Sequence, residues 1–145
     1  MSDKKEFQEK LLLYQLLENK INSLMKRRDL VLNKIMEIGT TISSLEELDK
    51  NKGEDILFPL GSNTFIPGTI KKKEKVIVEL GANVAVEKDI EKTKEILQVG
   101  KNNLQTSLQT IEKELITSSR EMAKLEPEIR SMVERTNASS ETSAG

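Results

Sequence analysis

The side chains of this sequence that could do chemistry are carboxylates and lysines, because histidine and cysteine are both absent. Their absence removes imidazole bases, thiolate nucleophiles, disulfides and most structural zinc sites. Carboxylates such as Glu46 and Glu47 stand in strongly polar stretches, where nothing indicates the burial that shifts a catalytic pKa. A solvated helix face is the simplest interpretation of these acidic pairs. The sequence therefore predicts a protein that is not an enzyme.

Glycine-rich loops that bind phosphate are also missing. Gly61, Gly68 and Gly81 do not belong to a G-x-x-x-x-G-K-[ST] motif, and they interrupt short strand-like runs as turn residues do. The chain has 23 basic and 24 acidic residues, with one Tyr and three Phe as its aromatic residues. This composition provides neither the basic surface nor the stacking surface of a nucleic-acid-binding protein. We predict no cofactor, no metal and no nucleic-acid partner.

Targeting and membrane signals are not found in the sequence. The first residues are charged and lead directly into a helical pattern, without the apolar core of a signal peptide. No run approaches the roughly 18 apolar residues that a membrane span requires. The absence of cysteine fits a reducing compartment. We expect a cytoplasmic protein that does not associate with membranes.

A long amphipathic helix is predicted from about residue 5 to residue 48. Its apolar residues recur with the heptad spacing of a coiled-coil seam over more than four heptads. Lys10 and Arg28 interrupt the seam with charge, and we interpret Arg28 as a register device that pairs with Glu112 or Glu114. The two seam series are Phe7, Tyr14, Ile21, Ile35 and Ile42, and Leu17, Leu24, Val31, Ile38 and Leu45.

A second amphipathic helix is predicted from Asp89, a candidate N-cap, to about residue 135. Lys94 and Lys101 occupy seam positions near its start, so we expect the seam to be weaker there. Pro127 is expected to kink the last turns or restart them as a separate segment. Residues 137–145 are polar and are predicted to be a disordered tail. The seam series are Ile90, Leu97, Leu104, Ile111, Ser118, Leu125 and Met132, and Leu108, Leu115, Met122 and Ile129.

Four short strands are predicted between the helices, at residues 56–60, 64–70, 75–80 and 83–87, with turns at 61–63, 71–74 and 81–82. The fold class is mainly α: one domain over residues 1–145, with a long antiparallel two-helix coiled coil joined by a four-stranded sheet of two β-hairpins. Such hairpins cannot bury a core alone and would leave unpaired edges in water, so we expect them to need partner chains. The predicted oligomerisation residues are Ile56, Phe58, Leu60, Phe65, Ile66, Ile70, Val76, Ile77, Val78, Leu80, Val84 and Val86.

Folding the chain back at the sheet places Phe7 near Ser131 and brings both termini to the far end of the coil. Helices of about 45 residues are roughly 68 Å long, which separates that end from the sheet. Apolar residues exceed what the seam needs there, and they form either a frayed core or an exposed grip for non-native chains. The candidate client-binding residues are Phe7, Leu11, Leu12, Leu13, Tyr14, Met122, Leu125, Ile129, Met132 and Val133.

The hairpin segments at residues 59–66 and 78–88 resemble those of alpha-class prefoldin subunits. The resemblance implies a hexamer of two alpha and four beta-class subunits, with the hairpins in a double barrel. It also implies ATP-independent capture of unfolded or nascent polypeptides and their transfer to a group II chaperonin, and it favours the grip over the frayed core. Two alternatives remain: a self-assembling prefoldin-like filament, and a coiled-coil scaffold without chaperone activity.

Overall fold

The computed structural model describes residues 2–51, 53–71 and 74–144. Within these ranges the elements are α1 (Ser2–Lys50), β1 (Ile56–Gly61), β2 (Thr64–Gly68), β3 (Lys75–Gly81), β4 (Val84–Asp89) and α2 (Ile90–Ala144). The chain divides into two compact units, one comprising Met1–Leu32 with Thr106–Gly145 and the other Asn33–Gln105. The predicted fold class, two long helices joined by two β-hairpins, is confirmed.

The core of the first unit is a coiled-coil seam between parts of α1 and α2. Every predicted seam position of this unit is buried or half-buried, which confirms the heptad interpretation. Ser118, the polar interruption of the α2 stripe, is more deeply buried than any of its apolar neighbours on the seam. A small side chain at this position lets the two helices approach closely. The buried apolar residues of the unit are Leu17, Leu24, Ile111, Leu125 and Met132.

Lys10, rather than Arg28, carries the charge contact that crosses the seam. The Nζ of Lys10 lies 3.0 Å from Oε2 of Glu128 and 3.3 Å from Oε1 of Glu6. The hydrogen bond to Glu128, reinforced by the one to Glu6, raises the pKa of Lys10 above its ordinary value. Because Glu128 belongs to α2, this pair crosses between the helices, and it lies where the predicted fold-back places Lys10 and Glu128 opposite each other.

The predicted pairing of Arg28 with Glu112 or Glu114 is wrong. Nη2 of Arg28 lies 3.4 Å from Oδ1 of its neighbour Asp29, on the same helix, and its Nε is buried without a hydrogen-bond partner. A long Arg side chain at a seam position can keep its stem in the seam and extend its guanidinium to water. There the guanidinium of Arg28 contacts Asp29. Arg28 therefore does not set the register through a cross-helix ion pair.

In the second unit, Ile38, Leu45 and Ile90 are buried. The helix α2 begins at Ile90, directly after β4, which leaves Asp89 at the predicted N-cap position. Its first amide, from Ile90, donates to the carbonyl of Glu74 at 3.0 Å. The hydroxyl of Thr93 donates to the carbonyl of Asp89 at 2.8 Å. The bond from Ile90 joins the start of α2 to the segment that precedes β3, and the bond from Thr93 lies within the first turn of the helix.

Lys94 of α2 forms a charged contact with α1 in this unit. Its Nζ forms an ion pair with Asp49 of α1 and lies 3.1 Å from Oε1 of Glu91. The hydrogen bond from Lys94 lowers the pKa of Asp49, and the same bond raises the pKa of Lys94. We expected Lys94 to weaken the seam because it replaces an apolar residue there. That expectation did not include its partner Asp49, which lies in the last turn of α1.

This ion pair gives a pH-dependent prediction. Because the folded state lowers the pKa of Asp49, the stabilisation is present above the ordinary carboxyl range and is lost as the pH falls through the lowered value. We expect Asp49→Asn to lower the melting temperature at neutral pH, and the difference from the unmodified chain to shrink below about pH 4. Thermal melts followed by circular dichroism measure this.

The matched control is Glu37→Gln, which removes the exposed pair that Glu37 forms with Lys34 at 3.6 Å within α1. This variant should change the melting temperature much less at any pH, because an exposed pair within one helix contributes little. An effect of Asp49→Asn that is equal at acidic and neutral pH would contradict the role of the pair.

The four strands form two separate two-stranded antiparallel sheets, β1 with β2 and β3 with β4. At the tips, Ser62 and Asn63 have φ values of 46° and 60°, and Ala82 and Asn83 have values of 49° and 61°. Positive φ at both central residues defines the type I′ turn, whose twist matches that of paired strands. The first tip turn is where the sequence predicts it, whereas the second is centred on Ala82 and Asn83, one residue later than the predicted turn at 81–82, because Asn83 has a positive φ and β4 begins at Val84. β2 ends at Gly68, which leaves Ile70 outside the strands.

The C-terminal tail and the turn before β3 are the two remaining predicted segments. The structure differs from the predicted tail at 137–145, because α2 continues to Ala144. Neither glycine nor proline occurs between Pro127 and Gly145, so nothing in the sequence stops the hydrogen-bond ladder earlier. Pro127 lies inside α2 and does not restart it as a separate segment. The predicted turn at 71–74 lies partly outside the described residues.

Candidate functional site

A groove of about 730 Å³ lies in the first unit, between the beginning of α1 and the last turns of α2. Its apolar lining comes from Phe7 and Leu11 on α1 and from Met132 and Val133 on α2. Met132 is buried at the floor, Phe7 is half-buried, and Leu11 and Val133 are exposed. Apolar side chains that remain accessible after the seam has formed can bind apolar groups of another chain.

The structure divides the ten candidate client-binding residues into three groups. Four of them line the groove, as described above. Leu125 is buried in the seam, and Tyr14, Met122 and Ile129 are half-buried at seam positions, so these four form the core of the coil. Leu12 and Leu13 are exposed outside the groove.

The polar residues of the groove were missed in the sequence analysis. They are contributed by the first turns of α1 and by a stretch of α2 that continues into the predicted tail. The hydroxyl of Thr136 donates to the carbonyl of Met132 at 2.9 Å, one turn earlier in the helix. If α2 had been predicted to extend beyond residue 135, the fold-back register would have placed these residues together. They are Asp3, Lys4, Gln8, Arg135, Thr136 and Asn137.

The β1–β2 hairpin is apolar on both of its faces. The pairing register places Phe58 opposite Ile66 on one face, and Pro59 opposite Phe65 on the other. The ring of Phe58 lies over Gly68, where Cε2 is only 2.6 Å from the position that a Cβ would occupy. Any larger residue at 68 would therefore displace the ring. Phe58, Phe65 and Ile66 are all exposed in the single chain.

The β3–β4 hairpin has one apolar and one charged face. Val78 pairs with Val86, and Val84 lies on the same face because strand residues two apart point the same way. Ile77 pairs with Glu87 on the opposite face. Of the predicted oligomerisation residues in this hairpin, Ile77 is therefore the one surrounded by charge.

Neither helix has a stretch apolar and long enough to cross a bilayer, within the part of the chain that the structure describes. The arrangement defines a class of protein, an antiparallel two-helix coiled coil that carries two β-hairpins at the connection between its helices. Comparison with known proteins gives the family within that class.

The family model described as "Prefoldin: Prefoldin subunit" matches residues 17–135. The prefoldin subunit alpha of Methanococcus vannielii is 35% identical over 116 residues, which cover 77% of this chain and 75% of that protein. The prefoldin subunit alpha of Nitrosopumilus maritimus is 39% identical over 75 residues, and the match spans 52% of each protein. The matched region is thus about half the length of that second relative.

A chain of filamentous PFD from Methanocaldococcus jannaschii, solved by cryo-electron microscopy, has the same fold. It superposes with a TM-score of 0.66 at 19% identity, covering 78% of this chain and 94% of that one. The chain belongs to the prefoldin family, since the family model covers most of its length. The curated relatives that it matches are alpha subunits of prefoldin, which places the chain in the alpha class of this family.

Proposed function

We propose that this chain is a subunit of an ATP-independent holdase that binds unfolded or nascent polypeptides in the groove. The observation that carries the proposal is the exposure of Leu11 and Val133 beside Phe7 and Met132. A two-helix coil needs only its seam residues for its own stability, so the exposed ones are available to another chain.

Binding in such a groove requires adaptability rather than a specific pocket. Leu11 and Val133, the exposed apolar residues of the groove, offer a general apolar surface that accepts different client side chains. A single groove of this size would hold only a few client residues and would bind weakly. Several grooves in one assembly would bind a client by avidity, because each further contact becomes intramolecular after the first. Binding of this kind needs no nucleotide.

The hairpins are proposed to provide that assembly. A two-stranded hairpin is marginal in water, and exposed apolar faces such as those of β1–β2 favour burial against partner chains. We propose a hexamer of two alpha and four beta-class subunits in which the hairpins form intersubunit barrels. The proposed complex is not an enzyme, works in the cytoplasm and passes its clients to a group II chaperonin.

A second candidate is a filament or homo-oligomer built from this chain alone. The structural match to filamentous PFD from Methanocaldococcus jannaschii favours it specifically. Both candidates use the same groove for clients, and they differ in the partner of the hairpins. Native mass spectrometry of the purified chain, alone and mixed with a beta-class subunit, distinguishes them, since the filament needs no second kind of subunit.

Light scattering of a chemically denatured protein on dilution tests the chaperone function. We expect the assembled complex to suppress scattering at near-stoichiometric concentration without ATP, because apolar client segments are held in the grooves instead of meeting each other. Serum albumin at equal mass is the control for nonspecific crowding. Undiminished aggregation in the presence of the correctly assembled complex would favour the scaffold without chaperone activity.

A further inference from the structure

Two glycines interrupt the helices of the second unit at the same level. Gly39 lies inside α1 and Gly100 inside α2, and both belong to this unit. A Cβ placed on Gly39 would lie 3.6 Å from Nζ of Lys101, the residue that follows Gly100. The two helices are therefore interrupted by glycine at positions that face each other.

Neither position needs glycine for steric reasons. A Cβ at Gly39 would make an ordinary contact with the movable end of Lys101, and a Cβ at Gly100 would meet nothing within 4 Å. Neither glycine has a positive φ. Alanine therefore fits at both positions, and the physical effect that remains is on helix stability, because glycine is a much poorer helix former than alanine.

The residues beside each glycine are also poor helix formers. Residues 39–44 of α1 are Gly-Thr-Thr-Ile-Ser-Ser, and residues 99–103 of α2 are Val-Gly-Lys-Asn-Asn. Among these residues only Lys101 is a strong helix former. The β-branched residues lose side-chain freedom in a helix, and Ser, Thr and Asn form competing hydrogen bonds with the backbone in other conformations. The intrinsic stability of both helices is therefore low at this level.

Packing across the seam compensates little for this low intrinsic stability. Leu97 and Leu104 are only half-buried, and no residue of α2 from 94 to 105 is buried. Lys101, the seam residue between them, takes part in no ion pair among the residues that the structure describes, whereas Lys94 does. We call residues 39–44 of α1 and 97–104 of α2 the weak level.

We propose that the weak level is a site of local opening, at which α1 and α2 separate while the hairpins stay folded. Segments with few buried contacts open at a lower free energy than the whole structure. Ile38 on one side, and Leu45 with Ile90 on the other, are buried and limit the opening. Opening uncovers the half-buried side chains of Ile42 and Leu97 and creates a transient apolar surface in this unit. The inference does not depend on client binding.

Hydrogen–deuterium exchange of the assembled complex, measured by mass spectrometry and corrected for intrinsic exchange rates, tests the opening. We expect the amides of residues 97–104 to exchange at least about tenfold faster than those of residues 111–118 in the first unit, where the seam is buried. Gly39→Ala with Gly100→Ala should slow exchange at the weak level at least about tenfold, because each alanine stabilises its helix roughly fivefold.

The single variant Gly39→Ala distinguishes joint opening from fraying of one helix. It changes only α1, but it should slow exchange in residues 97–104 of α2 roughly fivefold if the helices separate together. Lys101→Leu should slow exchange in residues 39–44 of α1, because it adds apolar contact to the seam. The matched control is Asn22→Ala, at an exposed position of α1 in the first unit. Alanine raises helix propensity there too, but exchange at the weak level should not change.

Equal protection of residues 97–104 and 111–118 in the unmodified complex would overturn the local opening. An effect of Gly39→Ala that is confined to α1 would overturn it as well, because the helices would then fray separately. An equal effect of Asn22→Ala would show a general gain in helix stability instead of a local one, and would also reject the proposal. None of these results bears on the proposed holdase, which light scattering tests separately.

Discussion

Replacing both Leu11 and Val133 with serine is expected to weaken capture of a denatured client at least about tenfold while leaving the assembly intact. Each side chain contributes about 1 kcal/mol of apolar contact to a bound client, and several grooves act together. The change removes the exposed rim of the groove but leaves Phe7 and Met132 in place. Light scattering gives the capture, and native mass spectrometry confirms the unchanged mass.

The control for this double variant is Ile96→Ser with Val99→Ser, which removes two exposed apolar residues of α2 in the second unit. It should capture clients normally. A more severe version removes residues before Glu18 and after Lys124, and with them the whole groove. The hairpins belong to the other compact unit, so this truncated chain should still assemble. Full capture by the truncated complex would mean that clients bind elsewhere.

Val84→Asp is expected to dissociate the oligomer, with a loss of association of a hundredfold or more. If the apolar face of β3–β4 is buried between subunits, a carboxylate there is desolvated without a partner, which costs roughly several kcal/mol. Val84 is 52% exposed in the single chain, so the substitution should leave the hairpin and the helices folded. Native mass spectrometry measures the dissociation, and far-UV circular dichroism the helicity.

Ile77→Asp is the matched control, although the sequence suggests that Ile77 is an equal member of the interface. Its side chain is 71% exposed and lies on the face that also carries Glu87. A further carboxylate on a charged, solvated face should reduce assembly far less than Val84→Asp does. An oligomer that persists in the Val84→Asp variant would argue against the barrel. Equal dissociation by Ile77→Asp would argue against the assignment of one apolar and one charged face to the β3–β4 hairpin.

The charged seam residues show where reasoning from the sequence stopped. Lys10, Arg28 and Lys94 all interrupt the heptad pattern, and the pattern alone cannot rank them. Lys10 and Lys94 reach acids across the seam, whereas Arg28 turns to Asp29 on its own helix. The difference depends on which carboxylates lie within about 4 Å in three dimensions, and side-chain reach does not follow from spacing along the chain.

The sequence by itself determined the local features of this protein, which are the seam residues and the hairpin turns. Heptad spacing predicted which residues form the seam, and the turn residues at 61–63 and 81–82 predicted two tight hairpin turns, the second to within one residue, because both depend on the conformation of residues near each other in the chain. Only the tertiary structure decided the rest: that residues 132–137 of α2 lie beside the beginning of α1 and form a groove there, and that Leu11 and Val133 stay exposed. These depend on packing between segments distant in sequence, which periodicity does not specify.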